Sequence, residues 1–330
     1  MEMKENVSLK PFTVFQVGGP ARFFTETHSK EEVIEALRWA KEKKIPSFIL
    51  GLGSNILVSD QGFPGLVIKI SGGKVSRDGD LITAEAGAKM AEVVNFSLQN
   101  GLVGFEWAIG VPGTIGGSVR GNAGCFGSEM KDVVMSVGAF NTGSRENVEL
   151  DNSDCQFGYR HSIFKKRPEL IVLGAVLKLK PGDVGEARRK IARASKARVS
   201  LVAEPADREF FNPGGHIAPQ EIGRPTVGCA FKNVLWSRKD VDKEYLISRF
   251  PKFKVFEANP GLPTGFLIEE AGLKGVEIGG AMVSEKHANF IINTGNATAE
   301  DIVMLIGLIK ERVHRKLDVF LEEEIQYVGF

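Results

Sequence analysis

The stretch from Gly110 to Gly127 constrains the fold more than any other part of the chain. Seven of its 18 residues are glycine, against 38 glycines in all 330 residues. Glycine raises the entropy cost of helices and strands and gives them no side chain to pack. The stretch is therefore predicted to be a loop, whose backbone N–H groups can closely approach phosphate oxygens. A tight turn between packed elements is the alternative interpretation.

Residues 48–58 contain a second, shorter glycine cluster. Gly51 and Gly53 lie between two apolar runs, with a serine and an asparagine directly after them. The cluster is not a dinucleotide fingerprint, because Ile56 stands where a third glycine is needed. Two such turns in the same half of the chain predict one phosphate-bearing ligand held between two loops.

Charge and hydropathy exclude several classes of partner. The chain has 42 basic and 41 acidic side chains without a long basic run, so nothing predicts nucleic-acid binding. No apolar run reaches membrane-spanning length, and the first residues lack the apolar core of a signal peptide. We therefore expect a cytoplasmic protein with a small-molecule partner.

Cysteine and histidine spacing gives no sign of a metal site. Cys125, Cys155 and Cys229 are an odd number without a Cys-x-x-Cys pair, which argues against a disulfide framework and a zinc site. The five histidines also lack metal-ligand spacing. No metal is predicted.

Hydrophobic periodicity predicts a chain of mixed helices and strands. Ser29 and Glu32 form a capping-box pattern at the start of one helix, and Thr298 and Asp301 open the last one. Frequent prolines predict that residues 201–265 are rich in loops. The other predicted helices are 89–100, 183–198 and one starting at 265–271, and the predicted strands are 48–50, 65–70, 81–86, 133–141, 146–150, 170–180, 279–283, 289–293 and 319–328. The predicted domains are 1–70, 71–200 and 201–317, followed by a C-terminal segment, 318–330.

Three short segments combine polar and apolar residues in ways that could carry chemistry. They are 158–165, where aromatics alternate with donors, 228–233, which presents a thiol beside two donors, and 321–325, which contains three consecutive glutamates. Taken singly, each segment also has a structural explanation. Residues 158–165 could be a solvated edge, 228–233 could contain a buried cysteine, and 321–325 could be an exposed strand edge. If 321–325 is a strand, Glu323 faces inward with Leu321 and Ile325.

These segments and the glycine loops together resemble the flavin-dependent UDP-N-acetylenolpyruvoylglucosamine reductases of peptidoglycan synthesis. The resemblance covers most of the chain, and its later blocks are more specific than the glycine loops. The matching blocks are 17–21, 50–58, 110–118, 121–124, 159–164, 231–233, 267–275 and 283–293.

The resemblance implies an α+β protein with an FAD-binding fold of the vanillyl-alcohol-oxidase (PCMH) type in two subdomains, plus a smaller α+β substrate domain. It implies non-covalent FAD and NADPH as co-substrate. The absence of a histidine between Lys30 and Ser71 also argues against covalent flavin. The implied cofactor-binding residues are Gly51, Gly53, Ser54, Asn55, Gly113, Thr114, Gly116, Gly117, Gly121, Asn122, Ala123 and Gly124.

The implied reaction reduces the enolpyruvyl group of a nucleotide sugar, UDP-N-acetylglucosamine enolpyruvate, and therefore needs charge stabilisation and a proton donor. By resemblance, Arg160 and Glu324 stabilise the intermediate and Cys229 supplies the proton. The implied substrate-binding residues are Tyr159, Lys232, Asn233 and His287. A monomer is expected.

The sequence departs from the family pattern near the expected proton donor. Many members have serine where this chain has Cys229, but a thiol, with an ordinary pKa of about 8.5, is the stronger acid. Val234 replaces a usual proline, and the segments 204–224 and 235–262 are longer than usual. The short connection after Arg160 resembles the second, shorter type of the enzyme, which leaves 204–224 as a candidate for closing over the substrate.

Two other functions stay open from the sequence. One is an FAD oxidase or dehydrogenase of the same wider fold that acts on another small molecule. The other is a binding protein that kept the FAD site and lost turnover, although the presence of Arg160, Cys229 and Glu324 argues against such a loss.

Overall fold

The computed structural model describes residues 1–199 and 224–330. The strands, in chain order, are β1 Lys4–Ser8, β2 Pro20–Thr27, β3 Ser47–Leu50, β4 Ile56–Val58, β5 Phe63–Ile70, β6 Val75–Asp78, β7 Leu81–Glu85, β8 Leu102–Val103, β9 Gly124–Cys125, β10 Ser128–Glu129, β11 Val134–Asn141, β12 Glu146–Asp151, β13 Leu170–Lys178, β14 Lys180–Pro181, β15 Val234–Leu235, β16 Gly261–Leu262, β17 Glu277–Ile278, β18 Ala281–Val283, β19 Ile291–Asn293 and β20 Gln326–Val328.

Most of the predicted helices are present with small shifts of their ends. The α-helices are α1 Lys30–Glu42, α2 Met90–Gln99, α3 Ile115–Gly121, α4 Ile163–Lys166, α5 Val184–Val199, α6 Lys243–Arg249, α7 Thr264–Glu270 and α8 Ala299–Leu317, with 3-10 turns at Lys10–Phe12, Glu106–Gly110, Met130–Asp132 and Pro251–Phe256. Both predicted caps are confirmed: Ser29 accepts from the Glu32 N–H, and Thr298 accepts from the Asp301 N–H.

The chain forms two compact units. Unit 1 contains residues 1–8, 20–54 and 62–197, and unit 2 contains 9–19, 55–61 and 198–330. The chain therefore passes from one unit to the other directly after the first glycine loop, between Ser54 and Asn55. The predicted boundaries near residues 70, 200 and 317 stay predictions, and the segment 204–224 lies outside the described residues except for Arg224.

Unit 1 is built on two sheets. The first has the strand order β1-β2-β5-β3, with β2 and β3 both parallel to β5, and α1 covers it with the buried side chains of Val33, Ala36, Leu37 and Ala40. The second is antiparallel with the order β12-β11-β13-β7-β6, and it shares a core with α2. Helices and strands in both halves agree with the predicted α+β class.

Unit 2 is organised around α8. Its apolar stripe, predicted from the sequence, is fully buried and consists of Ile302, Leu305, Ile306, Ile309, Val313 and Leu317. A small antiparallel sheet, β17-β18-β19, and the parallel pair β20-β4 complete the unit. The carboxylate of Asp60, two residues after β4, accepts from the N–H groups of Ala299 and Glu300 and so caps α8.

Two predictions about local structure are wrong. The stretch 110–127 is not a continuous loop, because α3 forms within it at Ile115–Gly121, capped at its start by Thr114 and at its end by Asn122 in the left-handed region. A strand continuing through 319–328 is also wrong: only Gln326–Val328 forms one, and Glu323 makes an isolated bridge to Phe231. Within 224–265, the described part of the region predicted to be rich in loops, the short helix α6 forms, and its N-cap Asp242 accepts from the Tyr245 N–H.

Candidate active site

The two glycine loops predicted to share a ligand lie against each other in unit 1. A Cβ atom on Gly51 would come within 2.9 Å of Thr114 Oγ1, so this close approach requires glycine. The Ser54 hydroxyl donates to the carbonyl of Pro112 at 2.6 Å. These contacts join residues that are far apart in sequence, and they confirm that the loops are neighbours.

The first loop presents a set of backbone donors. Gly53 has a φ of +63°, which turns the chain sharply after β3. Within residues 1–199 and 224–330, no acceptor is bonded to the N–H groups of Leu52, Gly53 and Ser54. Successive N–H groups in such a turn form a concavity that suits an anion.

The start of α3 uses its donors differently. The N–H groups of Ile115 and Gly116 donate to the carbonyls of Ala88 and Ala86, each at 2.9 Å. The N–H of Gly117 reaches the Thr114 hydroxyl oxygen at 3.5 Å. Since these three donors are satisfied inside the protein, the first loop is the better phosphate site of the two.

The glycines of α3 have two different roles. Gly116 packs tightly, because a Cβ there would lie 2.9 Å from the Cβ of Ala86. Gly117 and Gly121 lie on the same face one turn apart, and a Cβ on Gly121 would meet no described protein atom within 4 Å. Glycine lowers the stability of a helix at such positions. The face of α3 formed by Gly117 and Gly121, which carries no side chains and is called the bare face below, therefore points to a ligand that needs the space.

Asn122, Ala123 and Gly124 continue this site. The Asn122 side chain donates to the Glu129 carboxylate at 2.7 Å and to the Gly158 carbonyl at 2.9 Å, and it accepts from the Lys131 N–H at 3.0 Å. Asn122 is therefore a structural link between the glycine-rich stretch and the turn at Gly158, since its side-chain oxygen and nitrogen are both used.

Arg160 is placed against the same stretch. It occupies a two-residue turn closed by reciprocal hydrogen bonds between Gly158 and His161, and its own φ is +54°. Its guanidinium is buried, donates to the Gly124 carbonyl at 3.2 Å and lies 5.3 Å from the ring centre of Tyr159. The turn therefore carries Tyr159 and Arg160 to the end of the glycine-rich stretch within unit 1.

In unit 2 the structure brings Cys229 and Glu324 onto neighbouring segments. The N–H of Glu324 donates to the Ala230 carbonyl at 2.8 Å, and the N–H of Ala230 donates to the Asn289 carbonyl at 2.7 Å. The segment at Cys229 thus lies between the C-terminal segment and residues 289–290. Cys229 forms no disulfide, and its side chain is partly exposed.

Asn289 is a structural residue that the sequence predictions did not single out. Its side chain is buried and holds both polar groups of the Phe231 main chain, accepting from the N–H at 3.0 Å and donating to the carbonyl at 2.8 Å. It fixes the backbone two residues after Cys229. The only signal in the sequence was its position within the block 283–293.

The three consecutive glutamates have different surroundings. Glu322 pairs with Lys232 at 3.1 Å, and Glu323 pairs with Lys310 at 2.9 Å. The pKa of Tyr327 is raised by burial and by the neighbouring Glu323 carboxylate. Glu324 carries a buried carboxylate oxygen, Oε2. Glu323 and Glu324 are therefore partly withdrawn from solvent, whereas Glu322 is exposed.

The remaining predicted substrate residues lie in unit 2. Asn233 accepts from the Thr264 N–H at 3.3 Å, at the start of α7, and Lys232 is held by Glu322. The His287 ring stacks on Phe290 with 4.3 Å between ring centres, and burial lowers its pKa to about 4. At neutral pH His287 is uncharged, so it offers a hydrogen bond rather than a positive charge.

The part of the chain that the structure describes contains no group of three His, Cys, Asp or Glu side chains arranged to hold a metal ion. None of its helices is long and apolar enough to cross a membrane.

Both halves of the chain match known protein families. Residues 21–144 match the FAD binding domain, so the fold and the glycine loops define an FAD-binding protein. Residues 220–328 match the UDP-N-acetylenolpyruvoylglucosamine reductase C-terminal domain.

The similarity to whole proteins is equally extensive. UDP-N-acetylenolpyruvoylglucosamine reductase of Caldanaerobacter subterraneus subsp. tengcongensis is 38% identical over 325 residues, covering 98% of this chain and 93% of that protein. The reductase of Synechococcus sp. is 37% identical over 330 residues, which cover 99% of this chain and 91% of that protein. The crystal structure of the reductase (MurB) from Thermus caldophilus aligns with a TM-score of 0.72 and 32% identity, covering 99% of this chain and all of that one. The chain belongs to the UDP-N-acetylenolpyruvoylglucosamine reductase family.

Proposed function

We propose that this chain reduces the enolpyruvyl group of UDP-N-acetylglucosamine enolpyruvate to give UDP-N-acetylmuramate, using NADPH and FAD, as a step in making peptidoglycan precursors. The observation that carries this proposal is the match to the reductase family over 98% of the chain. The proposal also includes action in the cytoplasm as a monomer, without a nucleic-acid or membrane partner.

The residues of unit 1 fit FAD. The N–H groups of Leu52, Gly53 and Ser54 suit its pyrophosphate, and the bare face of α3 at Gly117 and Gly121 offers it room. Gly51 and Thr114 bring the two loops into contact, and Gly113, Gly116, Asn122, Ala123 and Gly124 keep the surrounding backbone in place. When bound, FAD accepts two electrons from NADPH and delivers them to the substrate.

Arg160 and Glu324 are proposed to stabilise the intermediate of the reduction, Arg160 through its positive charge and Glu324 through a hydrogen bond donated by its carboxyl group. The two-electron reduction of the enolpyruvyl double bond at its methylene carbon leaves enolate character on the neighbouring carbon and carboxylate. The Arg160 guanidinium has its orientation set by the Gly124 carbonyl, and it pairs with that carboxylate. Tyr159, Lys232, Asn233 and His287 are proposed to bind the nucleotide sugar.

Cys229 is proposed to complete the reaction by giving its thiol proton to the carbon that carries the enolate character. The product then has one new C–H bond from the two-electron reduction and one from the thiol proton, and the thiolate regains a proton from solvent. The backbone on either side of Cys229 is fixed by Asn289 and by the C-terminal segment, which restricts where the thiol can point.

An anaerobic visible spectrum of the purified protein tests the function. Bound flavin should bleach when NADPH is added and recover when UDP-N-acetylglucosamine enolpyruvate follows. A flavin that bleaches but does not recover with this nucleotide sugar would leave the cofactor in place and refute the proposed substrate.

A further inference from the structure

The side chain of Asn55 contacts the main chain of Glu324. Its amide nitrogen donates to the Glu324 carbonyl at 3.1 Å, and its own main-chain carbonyl accepts from the Gln326 N–H at 3.1 Å. Both partners belong to unit 2, and the parallel pairing of β4 with β20 begins at the next residue, where Ile56 lies opposite Gln326.

Glu324 is consequently held on both sides of its backbone. Its N–H donates to the Ala230 carbonyl, and its carbonyl accepts from Asn55. These two hydrogen bonds restrain the Glu324 backbone from which the carboxyl group extends. The Asn55 bond is the part of this arrangement that a single side-chain substitution can remove.

Asn55 also directly follows the N–H groups of Leu52, Gly53 and Ser54. The chain crosses from unit 1 to unit 2 between Ser54 and Asn55. A single short segment therefore contains the donors suited to an anion and the amide that holds Glu324, and resemblance alone assigned Asn55 to the cofactor.

We propose that Asn55 is a positioning residue that sets the orientation of Glu324 for reduction of the substrate, an inference that rests on the proposed function. The substitution Asn55→Asp keeps the size of the side chain and replaces the amide donor with an oxygen. The new carboxylate oxygen then faces the Glu324 carbonyl oxygen. The hydrogen bond between the two residues is lost, and the two oxygens repel each other.

The test separates the two half-reactions by anaerobic stopped-flow absorbance. In Asn55→Asp, we expect bound FAD and a rate of flavin reduction by NADPH within about twofold of wild type. Flavin reoxidation by UDP-N-acetylglucosamine enolpyruvate should slow by about tenfold or more, because the misplaced carboxyl group of Glu324 no longer stabilises the intermediate. Asn55→Ala, which removes the donor without adding an acceptor, should slow the same step to a smaller extent.

A double-mutant cycle with Glu324→Gln distinguishes positioning from a general structural effect. If Asn55 acts through Glu324, Asn55→Asp should change reoxidation little once Glu324→Gln is present. Asn293→Asp is the matched control, because the buried Asn293 amide donates to the Phe15 carbonyl at 2.9 Å in the same unit. Its effect on the reoxidation rate should be the same with and without Glu324→Gln.

Additive effects of Asn55→Asp and Glu324→Gln would overturn the inference, as would loss of FAD from a folded Asn55→Asp or Asn55→Ala protein. Failure of the wild-type flavin to reoxidise with the nucleotide sugar would instead refute the proposed function, which keeps the two failures distinguishable.

Discussion

The main-chain N–H of Glu324 donates to the carbonyl of Ala230 at 2.8 Å, which places the glutamate beside the segment that carries Cys229. The two residues proposed to supply charge stabilisation and a proton are thus neighbours through the backbone of unit 2. Because this hydrogen bond joins main-chain groups, substitutions at either residue can be made without removing it.

Alkylation of Cys229 should stop reduction of the substrate while flavin reduction by NADPH continues. The reagent should select this thiol, because Cys229 is partly exposed whereas Cys125 and Cys155 are 2% and 0% exposed. Cys229→Ala should slow reoxidation by about a hundredfold or more through loss of the proton donor. Stopped-flow absorbance measures both half-reactions.

Cys229→Ser is the matched control for the proton donor. It retains a hydroxyl in place of the thiol and should keep far more activity than Cys229→Ala. An alkylated enzyme with full turnover would refute the role of Cys229.

Glu324→Gln should lower kcat by about a hundredfold, because it replaces the carboxyl group proposed to stabilise the intermediate. Glu323→Gln makes the same chemical change at the preceding residue, whose carboxylate pairs with Lys310. This control should leave kcat nearly unchanged. Steady-state NADPH oxidation with the nucleotide sugar compares the two. Equal activities of the two variants would argue against the assignment of Glu324.

Two alanine substitutions in α3 should have opposite effects on the protein without cofactor. Gly121→Ala should stabilise it by about 0.5–1 kcal/mol, since a methyl group there meets no described protein atom within 4 Å. Gly116→Ala should destabilise it by about 1–3 kcal/mol, because the new Cβ lies 2.9 Å from that of Ala86. Urea unfolding measures both changes.

The same Gly121→Ala variant should bind FAD more weakly, because its methyl group fills the space assigned to the cofactor. Titration of the cofactor-free protein with FAD, followed by flavin fluorescence, checks this. Unchanged affinity would remove the α3 face from the proposed FAD site.

His287 should make the folded protein less stable as the pH falls from about 6.5 to about 4. Its pKa drops from 6.5 to about 4 on folding, because burial disfavours the charged ring. In this window the unfolded chain binds the proton and the folded one does not, so protonation favours unfolding. Urea midpoints measured across this pH range should depend less on pH in His287→Gln. An identical slope in both proteins would contradict the lowered pKa.

Local signals in the sequence were read correctly where neighbouring residues decide the structure. The caps at Ser29 and Thr298 and the apolar stripe of α8 need only their own side chains and helical spacing. The helix at Ile115–Gly121 was missed because its glycines disfavour a helix. Thr114 caps it locally, but the carbonyls that satisfy its first donors belong to Ala86 and Ala88, which are distant in the sequence.

The sequence by itself determined the family and the α+β class, and it predicted the residues proposed to carry the chemistry, because glycine turns, helix periodicity and ordered motifs are local properties. Only the tertiary structure showed that Gly51 touches Thr114, that Arg160 is held by Gly124, and that Asn55 and Ala230 hold the backbone of Glu324 from two sides. These contacts join residues distant along the chain. Packing selects them among many polar pairs, and no spacing pattern in the sequence encodes that choice.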